Sequence, residues 1–288
     1  MRLIAFEHEG RPALGARMGN EVVALADAVP GLPTDFLPAL AALNLPEGAG
    51  ALEARLKDAP RRPLAGLKLL PPVPRPGKMI CIGLNYALHA KEGGNPIPDY
   101  PAVFMRGPTS IVGHGEPLIR PRVSDKFDYE AELVIVIGKR ARHLSEADAL
   151  SCVAGYTIMN EGSVRDYQRK GAQWTMGKNF EQTGGIGPEI VTPDEIPQGP
   201  NALRITSRLN GETMQDSNTS DMIFSVPRIL AILSEAMTLE PGDVIATGTP
   251  SGVGYARKPP VFMRHGDTME VEIEGIGVLS NPVRDEAA

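Results

Sequence analysis

The chain has 288 residues, 42% of them hydrophobic and 22% charged, with a net charge of -6, which suits one large domain, or a large and a small one, around an ordinary core. No lysine or arginine run stands out, which removes the electrostatic case for nucleic acid or an anionic membrane surface, and no run of about 18 apolar residues exists to span a bilayer. Two cysteines, Cys81 and Cys152, lack CxxC spacing; they exclude a disulfide framework and lead us to expect a reducing, cytoplasmic setting.

The opening MRLIAFEHEGRP has neither the basic start nor the apolar stretch of a signal peptide. Residues 1–6, 12–17 and 20–25 read as short strands, turned at Gly10 and at Gly19-Asn20. Residues 35–56, rich in alanine and leucine, read as helical. Pro71, Pro72, Pro74 and Pro76 follow. Their fixed φ and missing amide donors make a stiff connector. The expected organisation is a small N-terminal α+β module over 1–70, a proline-rich linker over 71–77 and a main domain over 78–288.

From Lys78 onward the pattern is strand-rich, with two helical signals. Ser145 is placed to cap a helix through Ala149, Leu150 and Val153. A second helix follows Ser220-Asp221, with apolar spacing at Ile223, Val226, Leu230 and Leu233. It stops near Pro241-Gly242, before a strand over 244–247. Strands over 268–273 and 276–279 flank a hairpin turn at Glu274-Gly275. The fold class is thus α+β and β-dominated, with few helices and no βαβ alternation.

The segment FDYEAELVIVIG, residues 127–138, ends in a β-branched apolar run that suits a buried strand. Side chains alternate along a strand, so Glu130 and Glu132 share a face. Two buried carboxylates on one face need a positive neighbour, and a hard cation such as Mg²⁺ or Mn²⁺ provides one through oxygen ligands. The other reading has both facing solvent, paired with Arg140 or Arg142. A third carboxylate, Glu161, follows the strand-like Tyr156–Met159. The five histidines are scattered and lack metal-ligand spacing.

Taken in order, G-L-N-Y-A-L-H-A-K-E (residues 83–92), FDYEAELVIVIG, MNEGSVRDYQ, QWTMGKNF and GDVIATGTPSGVG resemble the core of the fumarylacetoacetate hydrolase family across residues 78–284. The first 70 residues resemble the variable N-terminal module of bacterial members, the acylpyruvate hydrolases and 2-hydroxyhepta-2,4-diene-1,7-dioate isomerases among them. The resemblance implies a mixed β-sandwich or roll, a homodimer, and Mg²⁺ (or Mn²⁺) held by Glu130, Glu132 and Glu161. Here the chain departs from the family, whose third ligand is usually aspartate; glutamate keeps the charge and is one methylene longer.

The resemblance also assigns roles. His89 and Glu92, three apart on a helical turn, share a face and form a general-base pair, under a lid formed by residues 93–98 that assembles the pair on closing. Lys178 is catalytic; Arg165, Gln168 and Thr249 bind substrate carboxylate or oxyanion. Arg106 binds substrate near the site entrance. Asp166 orients a neighbour, while Trp174, Met159 and Met176 read as packing. The expected activity is metal-dependent C–C hydrolysis of an acylpyruvate or 2,4-diketo acid. Oxaloacetate-type decarboxylation and diene-dioate isomerisation are alternatives within the enzyme class, and a non-catalytic ligand-binding scaffold is the alternative outside it.

Overall fold

The computed structural model describes residues 1–45 and 48–287. Strands β1 (Arg2–His8), β2 (Arg11–Met18) and β3 (Glu21–Ala24) open the chain. Helices α1 (Leu25–Ala28), α2 (Phe36–Ala42) and α3 (Ala49–Leu56) and strand β4 (Arg62–Pro63) follow. The helix read over 35–56 is therefore two, because Asn44 turns the backbone to φ 48°, a conformation asparagine tolerates. Positions 46 and 47 of that reading lie outside the described residues, as does position 288 of the main domain.

The middle of the chain holds β5 (Met79–Gly83), α4 (Ala87–Glu92), β6 (Ala102–Met105), β7 (Ile111–Val112), β8 (Leu118–Arg120), β9 (Phe127–Asp128) and β10 (Ala131–Ile137). It continues with β11 (Val153–Asn160), β12 (Ser163–Val164), α5 (Arg165–Gln168), α6 (Thr175–Lys178) and β13 (Gly184–Val191). The last part holds β14 (Arg204–Leu209), β15 (Glu212–Asn218), α7 (Val226–Ala236), β16 (Val244–Ala246), β17 (Thr268–Ile273) and β18 (Gly277–Asp285).

Three local expectations are corrected. The segment after Ser145 forms only a 3-10 turn, Ala149–Cys152, because the strand-forming run from Val153 enters β11 at once. Helix α7 begins at Val226 with Ser225 as its N-cap and Pro227 in the first turn, while Ser220-Asp221 belongs to a separate 3-10 turn. The late hairpin turns where expected, with Ile273 opposite Gly277, but its second strand runs on to Asp285.

The β-dominated α+β class is what the chain adopts. An eleven-stranded sheet runs β4-β3-β2-β1-β13-β11-β10-β16-β5-β6, with β7 added beside β13; a second sheet runs β15-β14-β17-β18-β8. Central strand β10 is buried along its whole length, and its two faces serve two cores. Leu133, Ile135 and Ile137 pack with Ile205, Val271 and the α7 residues Ile229 and Leu230. Val134 and Val136 pack with Phe36 and Leu40 of α2 and Leu52 and Leu56 of α3. That two-sided burial is why the run LVIVI carries no polar alternation.

The N-terminal strands join the same sheet: Arg2 and Leu3 of β1 pair with Val191 and Ile190 of β13. The prolyl connector lies against them, with the Leu70 amide donating to the Ala5 carbonyl at 2.9 Å and Val73 in the core. Among the described residues no helix is long and apolar enough to cross a membrane. Cys81 and Cys152 are both free and buried.

Because β10 holds the two layers together, Ile135→Ala should be among the costlier core truncations. We expect a loss of about 3 kcal/mol, read as a lower midpoint in denaturant titration with the native spectrum retained.

Candidate active site

Strand pairing assembles the acidic cluster. The antiparallel register sets Ala131 opposite Asn160 and Glu132 opposite Met159. One step before β10, the Glu161 amide donates to the Glu130 carbonyl at 2.8 Å, so Glu130 and Glu161 are cross-strand neighbours. Glu132 lies two residues beyond Glu130, on the same face. The result is three buried carboxylates with ligand atoms within 4.8 Å of one another. It is the only such grouping of His, Cys, Asp or Glu among the described residues.

Two cations answer that charge from the segment between β12 and β13. Lys178 Nζ lies 2.6 Å from Glu130 Oε2 and 2.7 Å from Glu161 Oε2. Arg165 Nη1 lies 2.6 Å from Glu130 Oε1, and its Nε donates to Asp128 Oδ2 at 2.7 Å. Burial disfavours ionisation of Glu130, but Arg165 and then Lys178 outweigh it and hold the carboxyl well below the usual range. Burial likewise works against the charged form of Lys178, and Glu130 and Glu161 more than offset it.

Glu132 is the exception. Burial, then the charges of Glu161 and Glu130, push its carboxyl well above the usual range. Among the described residues its Oε2 receives only the Gly248 amide, at 2.8 Å, and Glu161 Oε1 is buried without a hydrogen bond, with Arg106 Nη1 3.8 Å away. An oxygen-only donor set with an orphaned carboxylate oxygen and a surplus of negative charge fits a hard divalent cation. The residues that would hold it are Glu130, Glu132 and Glu161.

Across a cavity of ≈ 330 Å³, α4 brings up the His89–Glu92 pair. His89 Nδ1 is 2.8 Å from Glu92 Oε1, and Glu92 Oε2 accepts the Gly252 amide at 3.0 Å. The pair is already assembled in this structure, with Gly93 and Asn95 of the following loop in the cavity wall. The glycine loop over 248–254 is the common support. Gly248 donates to Glu132, Gly252 to Glu92, and Gly254 to Asp128 at 2.8 Å. Only glycine serves at 248, where φ is 98° and a Cβ would meet the Asn85 Cβ at 2.7 Å.

Glu130, Glu132, Glu161, His89, Arg165, Gln168, Lys178 and Thr249 all line this cavity. Glu92 stands behind His89. Gln168 Oε1 accepts from Arg165 Nη1 at 3.0 Å, and Asp166 accepts from Ser124 Oγ at 2.6 Å. Arg106 is not at the entrance, which corrects its expected place. It is buried behind Glu161, donating to Gly162 O, Thr183 Oγ1 and both oxygens of Ser110. Met176 is corrected too: it is 65% exposed, whereas Met159 is core. Trp174 packs edge-on to Phe104 and covers Gly83, and it also forms part of the cavity wall.

Sequence reading missed four residues. Asp128 gathers Arg165, the Gly254 amide and the Tyr255 amide; its place two residues before Glu130 gave the only hint. Gln215 donates to Thr249 Oγ1 at 2.8 Å and accepts from the Ala131 amide at 3.0 Å. Tyr255 and Arg169 complete the cavity's outer wall. Gln215 lies in no quoted motif, whereas Arg169 and Tyr255 each stand one residue past one, after Gln168 and Gly254.

The model of the family described as fumarylacetoacetate (FAA) hydrolase C-terminal matches residues 78–284. Oxaloacetate tautomerase FAHD2A, mitochondrial, of Homo sapiens is 42% identical over 98% of this chain and 91% of its own length. The Bos taurus protein of that name is 41% identical over the same shares. These names carry a mitochondrial address, unlike the cytoplasmic setting expected above. Among solved structures, a putative HpcE protein from Mycobacterium smegmatis superposes with a TM-score of 0.87 at 34% identity, covering all of both chains. Maleylpyruvate hydrolase from Sphingobium sp. SYK-6, in complex with manganese(II) and pyruvate, gives 0.82 at 30%, also covering all of both.

Asp128→Ala should strip Arg165 of its orienting partner and leave a buried guanidinium half-paired. We expect a loss of stability of about 3–5 kcal/mol in denaturant titration, and an activity about 100-fold lower in the fraction still folded.

Proposed function

The chain belongs to the fumarylacetoacetate hydrolase family, and from that premise we propose that it is a divalent-metal-dependent enzyme interconverting the keto and enol forms of a small 2-keto acid of the oxaloacetate type. The observation that carries this reading is the meeting, across one ≈ 330 Å³ cavity, of an oxygen-only carboxylate triad and a carboxylate-oriented imidazole. The relatives called oxaloacetate tautomerase support the choice of reaction, since they align over 98% of the chain.

Mg²⁺ or Mn²⁺ held by Glu130, Glu132 and Glu161 supplies Lewis-acid charge beside the keto oxygen. The protein's own groups do the rest. Glu92 engages His89 Nδ1, so Nδ1 carries the proton and Nε2 is left free to act as base. His89 Nε2 takes the proton from C3, the C3–H electron pair becomes the C2–C3 double bond, the C2=O π pair moves onto the oxygen, and that oxygen receives the proton. No co-reactant is consumed. The Lys178 ammonium and the Thr249 hydroxyl are placed to meet the charge that grows on oxygen. Gly252, by fixing Glu92, holds the base in its tautomer.

A second reading, hydrolysis of an acylpyruvate to pyruvate and an acid, rests on the same His89–Glu92 pair, which equally suits activation of water. The neighbour called maleylpyruvate hydrolase, with its manganese and pyruvate, supports it.

Purified protein stripped with EDTA and reloaded with Mn²⁺ separates the readings. We expect metal-dependent loss of enol absorbance from oxaloacetate, abolished in Glu161→Ala and strongly reduced in His89→Gln. Metal-dependent release of pyruvate from an acylpyruvate, without enol conversion, would transfer the assignment to the hydrolase. Equal rates with EDTA and Mn²⁺ would defeat both readings.

A further inference from the structure

Three cationic side chains line the cavity: Arg165, Lys178 and Arg169. Two are spoken for. Arg165 is paired with Asp128 and Glu130, and Lys178 with Glu130 and Glu161, all within 2.7 Å. Arg169 differs. Among the described residues it has no carboxylate and no hydrogen-bond partner, and its guanidinium carbon rests 4.8 Å from the centre of the Tyr255 ring.

Tyr255 is itself anchored. Its amide donates to Asp128 Oδ2 at 2.9 Å, and Arg165 sits 4.6 Å from the same ring centre. A guanidinium against an aromatic face keeps its N–H edge available to a planar anion. The ring therefore acts as a platform that points an exposed, uncompensated cation into the cavity wall, on the solvent side of the buried cluster.

The charges then define a ligand with two ends. The 2-keto carboxylate end belongs at the carboxylate triad and its cation. A ligand with a single carboxylate leaves Arg169 without a counter-charge; a second carboxylate supplies one, and an arginine–carboxylate contact is charge-assisted and bidentate. We infer that Arg169, supported by Tyr255, is the specificity residue that grips the distal carboxylate of a 2-keto dicarboxylic acid. This rests on the proposed metal and 2-keto acid site, and it adds the residue that selects diacids over monoacids.

Calorimetric titration of the Mn²⁺-loaded protein tests it without turnover. The two ligands are 2-oxoglutarate and 2-oxovalerate, which share a five-carbon chain and differ only in a distal carboxylate against a methyl group. The wild type should prefer the diacid by about ten-fold, equivalent to about 1.4 kcal/mol. Arg169→Gln should collapse that ratio towards one, and Arg169→Lys, a point charge without the fork, should restore part of it. The side chain is exposed, so neither variant threatens the fold. A ratio unchanged in Arg169→Gln, or equal binding of both ligands by the wild type, overturns this inference alone. Failure of the wild type to bind either ligand overturns the metal and keto-acid reading beneath it.

Discussion

Three carboxylates removed from water within 4.8 Å of one another repel each other strongly, and everything around them is arranged to answer that repulsion. Lys178 and Arg165 are buried cations, a costly choice unless each is paired. Both are paired with the cluster or with Asp128. The compensation is incomplete at Glu132, whose only hydrogen bond from the protein comes from one backbone amide. Cations and carboxylates therefore stabilise one another only as a set. The cluster stands in the middle of the main sheet, where an apolar core would cost less, and that cost is what the proposed cation site would explain.

The glycine loop connects this charge to the chemistry. Three of its amides each hold a different carboxylate: one of the triad, one orienting the base and one orienting Arg165. A single backbone turn thus fixes the relative positions of the carboxylate triad, the imidazole and the guanidinium. Backbone donors suit this work because they lose no side-chain entropy when the site forms. Gln215 extends the support by tying Thr249 to the strand that carries Glu132.

Legibility in the sequence followed how local each feature is. Glu130 and Glu132 could be placed on one face from the period of a strand. The β10 run announced its two-sided burial through continuous β-branched residues. Glu161 could be nominated but not positioned, because its closeness to Glu130 depends on the β10–β11 register. Arg106 was misplaced because its role is decided by Ser110, four residues on, and by Gly162 and Thr183, which are distant in sequence and unremarkable in composition. The helix expected after Ser145 failed because capping chemistry is only permissive, and the strand propensity beginning at Val153 took precedence. Arg169 and Tyr255 meet across 86 positions of chain, and nothing in either neighbourhood foretells the other.

The pairing of β1 with β13 carries a different consequence. Leu3 finds its strand partner at Ile190, so β1 must wait for β13, far along the chain, before its outer edge is covered. Until then the ribbon of β1, β2 and β3 presents an open, partly apolar edge, the kind of surface that invites unwanted strand pairing. Such distant closure raises contact order and slows folding. Strand β10, which carries Glu132, and its neighbour β11 pair much more locally and can form earlier. The β1–β13 pairing thus closes long after the local hairpins around it, and the N-terminal ribbon is the piece most dependent on protection while it waits.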